Sequence, residues 1–146
     1  MKATDLMIGD WVRYSPKSIS LNNNYGGLYR AEGISQDTIS LGAKNYRFVV
    51  SDKEIDSIPL TPEILEKNGF EMFKYDGWVH YYRIFGNSAI PFVLHSMIGG
   101  EMLSQEVDIF STSTNTNCGI DVNYVHELQH ALRLCGLNEL ADNFKV

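Results

Sequence analysis

His126-Glu127-Leu128-Gln129-His130 is the segment whose residue types and spacing could most readily do chemistry. On a helix, two imidazoles four positions apart share a face and could reach one zinc ion, with the intervening Glu127 as general base. The uncharged flanks, Tyr124 and Val125 before and Ala131 and Leu132 after, suit the dry setting such a site requires. A catalytic zinc, however, takes three protein ligands and a water. The extended form HExxHxxGxxH would need Gly at position 133 and His at position 136, where this chain has Arg133 and Gly136. Downstream, Glu139 follows the helix stop too closely to reach back to His130. Upstream His80, His95, Glu101, Glu106 and Asp108 could complete a site only in an unusual topology. The preferred reading is therefore structural. His126, Glu127, His130 and Arg133 would border a helix whose apolar stripe faces the core, with Glu127 or Glu139 paired to nearby cations. No cofactor is expected; zinc on His126 and His130, with Glu127 as base, is the alternative.

The elements that must position these groups follow from the hydrophobic pattern. Asp10 to Tyr14, Leu28 to Ile34, Thr38 to Leu41, Tyr46 to Val50 and Ile55 to Leu60 read as five short antiparallel strands. Turn chemistry separates them, with one long early loop through Asn22–Gly27. Such a set predicts a small SH3-like β-barrel over residues 1–60. Thr61 then caps a helix over about residues 62–68, with Pro62 at its first position and Asn68-Gly69 at its stop. Leu60 and Leu65 form a staple across the cap. Glu71 to Tyr75 and Trp78 to Phe85 flank Asp76-Gly77, the signal of a two-residue hairpin over residues 71–85. A meander is expected to continue through Ile90 to Leu94, Glu101 to Leu103 and Val107 to Phe110. The polar loop Ser111–Asn117 follows. The C-terminal helix is expected over about residues 122–135, with Val125, Leu128, Leu132 and Cys135 buried. The fold class is thus α+β: an N-terminal SH3-like barrel, then an antiparallel β meander with two main helices in residues 61–146. The two parts form either separate packed units or one compact domain.

Composition narrows the function classes. The net charge of −6 disfavours nucleic acid and anionic membranes as partners. The imbalance lies in the second half, where residues 61–146 carry five Lys/Arg against eleven Asp/Glu. No apolar run approaches a membrane span, and the N-terminus does not read as a signal peptide. Two cysteines, Cys118 and Cys135, make neither a disulfide framework nor a CxxC site, which fits a reducing cytoplasm. No GxSxG elbow, phosphate-binding loop or dinucleotide fingerprint is present.

Met7-Ile8-Gly9-Asp10-Trp11-Val12, the run Ile55 to Phe70 (IDSIPLTPEILEKNGF) and Tyr124-Val125-His126-Glu127-Leu128-Gln129-His130 stand as three landmarks in this order along the chain. On these the chain resembles a family of short uncharacterised proteins of gut bacteria and their phages or mobile elements. The landmarks cover about a third of the chain and span both ends. The resemblance implies an accessory role in a phage or mobile-element setting, with no reaction or ligand attached. It also implies that metal binding is not a shared property, since members do not all carry a second His where this chain has His130.

Two aromatic sets are candidate binding surfaces. Trp11, Tyr14, Tyr25 and Tyr29 could line a groove on the β module for an extended peptide. Phe70, Phe73, Tyr75, Trp78, Tyr81, Tyr82 and Phe85 crowd the hairpin and read first as core and cross-strand pairs. The expectation is a cytoplasmic, non-enzymatic interaction or accessory protein with a protein partner and an oligomeric state the residues leave open. A zinc-dependent peptidase or hydrolase is the alternative. A nucleic-acid accessory protein, engaging phosphates through Arg13, Arg30, Lys44 or Arg47, is a second.

Overall fold

The computed structural model describes residues 1–16, 27–43, 46–75, 78–84, 91–96, 105–111 and 116–146. Among the described residues, two five-stranded sheets and three α-helices make up the α+β fold. In the first sheet β1 (Trp11–Tyr14), β2 (Gly27–Ile34), β3 (Thr38–Ala43), β4 (Tyr46–Ser51) and β5 (Ile55–Asp56) lie in the order β4-β3-β2-β1-β5. Every pairing is antiparallel. The five strands expected from alternation are present, but no ladder joins β4 to β5 among the described residues. No closed barrel is found among the described residues. β5 has only two residues in the ladder, because the chain leaves the sheet at Ser57 to run toward the C-terminal helices.

One face of this sheet is dry. Val12, Ala31, Ile39, Leu41, Val50 and Ile55 pack together with Ala3 and Leu6 from the N-terminal segment. This small cluster is the apolar core of the first sheet.

The second sheet is a plain meander: β6 (Glu71–Tyr75), β7 (Trp78–Ile84), β8 (Pro91–Ser96), β9 (Gln105–Ser111) and β10 (Thr116–Asp121), each beside its sequence neighbour. The expected hairpin is its first ladder, with Tyr75 opposite Trp78. The turn residues Asp76 and Gly77 lie outside the described residues, as do Glu101 to Leu103. β10 overlaps the expected polar loop at residues 116–117 and continues through residues 118–121, where no strand was expected.

Helix α1 (Pro62–Lys67) begins as its sequence requires. The Thr61 hydroxyl accepts the Ile64 N–H at 3.4 Å and Pro62 occupies the first turn. Helix α2 (Val125–Leu134) starts later than residue 122 because residues 123–125 are paired elsewhere. Leu60 N–H donates to Asn123 O at 3.0 Å, and Val125 N–H to Ile58 O at 2.9 Å. Gly136, with φ of 76°, ends α2, and α3 (Asn138–Asp142) follows at once.

Val125, Leu128, Ala131 and Leu132 of α2 form the second core with Ile58, Leu60, Leu65, Phe70, Tyr81, Val122, Ala141 and Phe144. Ile58 and Leu60, which precede α1, thus belong to the second core and not to the first. Among the described residues no helix is long and apolar enough to cross a membrane.

Candidate functional site

Helix α2 is buried on two adjoining faces. Beside its apolar stripe, His126, Gln129, His130 and Arg133 recur at i, i+3, i+4 and i+7 and form a polar stripe. That stripe lies against the turn that leads into β1, Gly9-Asp10-Trp11. Gly9 has φ of 93°, and a Cβ there would stand 3.0 Å from the Arg133 guanidinium. A side chain at position 9 would therefore be both strained and crowded.

Asp10 is the centre of the seam and is fully buried. One carboxylate oxygen lies 2.6 Å from His130 Nε2 and also accepts the Met7 N–H at 2.8 Å. The other accepts from Arg133 Nη1 at 2.6 Å, and Arg133 Nη2 reaches Asp142 at 3.3 Å. Burial alone would raise the carboxyl pKa. The bonds from His130, the Met7 amide and Arg133 outweigh it and hold Asp10 below the usual carboxylate value. Gln129, also fully buried, accepts the Trp11 N–H at 3.0 Å and donates to Ala141 O at 2.8 Å and Gly9 O at 3.2 Å. One side chain thereby ties the β1 turn, α2 and α3 together.

Of the HELQH residues, Glu127, Gln129 and His130 have hydrogen-bond partners within the fold. Glu127 accepts the N–H groups of Asn123 at 2.7 Å and Tyr124 at 3.1 Å, capping the first turn of its own helix instead of pairing with a cation. His126 is only 5% exposed, lies flat beside Tyr124, and meets the edge of His130 with ring centroids 5.8 Å apart. Its Nδ1 is buried without a hydrogen bond. Burial lowers the His126 pKa below 6.5, partly offset by Glu127 and Asp10.

As a metal centre this donor set fits poorly. A carboxylate that sequence reasoning did not connect with the string, Asp10, lies against His130. Arg133, however, occupies its second oxygen, and a metal on His130 would have to displace the Asp10 bond. Among the described residues no three His, Cys, Asp or Glu side chains are grouped to hold an ion. An aspartate on an imidazole can also orient a general base. No Ser, Thr or Cys among the described residues bonds to His130 to serve as nucleophile.

The aromatic candidates divide between two places. Trp11 turns to the seam, where its Nε1 donates to Phe144 O at 2.7 Å and the Arg30 guanidinium lies 4.6 Å above its ring. Tyr25 lies outside the described residues. Tyr14 and Tyr29 do come together, but with Tyr46 and Phe48, around an open cavity of about 320 Å³. The register explains the grouping: Val12 is opposite Tyr29, Leu41 opposite Phe48 and Ala43 opposite Tyr46. All four rings thus lie at the end of the face that buries Val12, Leu41 and Val50. The Tyr46–Phe48–Val50 alternation marked β4 as half-buried, and only the pairing of β4 through β3 and β2 to β1 assembles the pocket.

Of the cations that could meet phosphate, Arg30 is spent on Gly9 O and Phe144 O, and Arg47 pairs with Glu32. Arg13 is exposed, and Lys44 lies outside the described residues. On the hairpin, Phe73 stacks on His80 and abuts Tyr82, as cross-strand pairs should. Against known proteins, no family model matches this chain, and neither the curated proteins nor the solved structures provide a match.

Proposed function

We propose that this chain is a non-enzymatic interaction or accessory protein of the cytoplasm, which engages a protein partner through the pocket of Tyr14, Tyr29, Tyr46 and Phe48. The setting proposed is a phage or mobile element, on the strength of the three sequence landmarks. The observation that carries the reading is the contrast in use of side chains. Glu127, His130, Arg133 and Asp10 are committed to bonds within the fold. The four aromatic rings instead line a cavity, with Tyr46 51% exposed. Clustered aromatics at a solvent-facing rim supply large contact area at low entropic cost, as binding hot spots require.

The test is partner capture by in-cell crosslinking and mass spectrometry, comparing the unaltered chain with Tyr46→Ala and Glu127→Gln. A partner retained by Glu127→Gln and lost by Tyr46→Ala supports the proposal. A partner lost by Glu127→Gln and kept by Tyr46→Ala would place the interaction on α2 and overturn it.

A further inference from the structure

The geometry of the four rings narrows what the pocket can hold. The plane of Tyr14 stands at 73° to Tyr29 and 65° to Phe48, and Tyr29 stands at 85° to Phe48. Three planes, each steep to the other two, form the corner of a box. Tyr46 adds a wall inclined 31° to Phe48, with centroids 5.8 Å apart. A nucleobase or a proline ring is satisfied by one flat platform or by parallel ridges. A corner offers aromatic faces from several directions at once, which suits a compact, roughly spherical group.

The charge of that group follows from the lining. An aromatic face carries the negative lobe of the ring quadrupole, so converging faces favour a cation. The described lining is Tyr14, Tyr29, Tyr46 and Phe48, with neither a carboxylate nor a cation among them. An ammonium with three N–H donors would lose its water and find too few acceptors there. A Tyr29–Tyr46 hydrogen bond, which with burial holds the Tyr29 phenol above its usual pKa, already occupies part of that capacity. A quaternary ammonium has no N–H to satisfy, is weakly hydrated and presents a skin of methyl groups. The chain's net charge of −6 adds a favourable long-range field for any cation.

We infer that the Tyr14–Tyr29–Tyr46–Phe48 corner is a cage for a trimethylammonium group, carried by a methylated lysine side chain of the partner protein. The inference rests on the reading of this pocket as the interaction site. It names the feature of the partner that is recognised, and requires that the partner be modified before it binds.

The full chain is titrated, by calorimetry and by NMR of the methyl signals, with N-acetyl-trimethyllysine methylamide. Three further probes are the isosteric analogue with carbon in place of the quaternary nitrogen, the unmodified lysine amide, and choline. The expected result is saturable binding of the trimethyllysine probe, with both the neutral isostere and unmodified lysine weaker by roughly tenfold or more. Tyr46→Ala should weaken it several-fold while Tyr46→Phe, which keeps the ring, retains it. Equal binding of the neutral isostere would show an apolar pocket without cation selectivity and overturn the inference. Choline binding more tightly than the lysine probe would overturn the assignment to a protein side chain. Absence of saturable binding by every probe up to about 10 mM would overturn the cage itself. Partner capture separates the two levels. If no cation binds yet Tyr46→Ala still loses the partner, only the cage falls; if the partner is also kept, the interaction site falls with it.

Discussion

The α2 seam and the β-sheet pocket both gather residues that are common in functional sites, and they use them in opposite ways. In the seam, Asp10, Gln129, His130 and Arg133 direct their polar atoms at one another and at backbone groups of β1, the turn before it, and α3. In the pocket, Tyr14, Tyr29 and Phe48 stand steeply to one another and Tyr46 is tilted beside Phe48, yet the rings leave their shared cavity open. Residue type alone is therefore a poor guide to function. What separates the regions is whether the side chains close on one another or leave a cavity between them. The HELQH segment, the more suggestive of the two in sequence, is the one whose Glu127, Gln129 and His130 are bonded within the fold.

The largest effect that would sharpen this contrast is at Asp10. Replacing it with Ala leaves Arg133 and His130 facing a vacancy in a buried seam, and should lower unfolding free energy by about 3–5 kcal/mol in urea denaturation. Stability unchanged by Asp10→Ala would break the structural account of the seam. Gln129→Leu should come next, at about 1–3 kcal/mol, because the partly buried Trp11 N–H loses its acceptor.

The third prediction concerns pH. His126 has a folded pKa below 6.5, so the unfolded chain binds a proton more readily than the native one. Its contribution to stability is complete above pH 6.5 and is lost as pH falls from there through the folded value. Asp10, also depressed, acts in the same sense below its ordinary value of 3.8. His126→Leu should flatten the melting-temperature profile just below pH 6.5. A profile as steep as that of the unaltered chain would assign the dependence to other groups.

Smaller effects fall at the two exposed ends of the comparison. Glu127→Gln keeps an oxygen for the Asn123 and Tyr124 amides but removes charge from the helix N-terminus, costing about 0.5–1 kcal/mol by thermal denaturation. Tyr46→Ala should change stability by no more than about 0.5 kcal/mol while removing partner binding. Marked destabilisation by Tyr46→Ala would mean that the pocket is a structural cluster like the seam.

Much of the local structure was legible in the residues. Thr61-Pro62, Asn68-Gly69 and Gly136 mark helix ends because capping and positive φ are local requirements. Alternation in Tyr46, Phe48 and Val50 marks β4 because a half-buried strand has period two. The Asp10 contacts were not legible, since 120 residues separate it from His130 and no pattern in either segment names the other. A usable signal lay in α2 itself. The i, i+3, i+4, i+7 spacing of His126, Gln129, His130 and Arg133 is a second stripe, and a polar stripe beside an apolar one asks for a polar partner. The pocket was half legible. Tyr14 and Tyr29 stood out as aromatics of one module, whereas Tyr46 and Phe48 joined them only through the β1–β2–β3–β4 pairing, and Trp11 left for the seam.

The central claim, that the HELQH residues hold the fold together and do not hold a catalytic metal, is tested most directly by metal content. Untagged protein purified without chelator should contain far less than one zinc per chain by elemental analysis. Close to one zinc per chain, lost in His130→Ala and kept in Glu127→Gln, would contradict it.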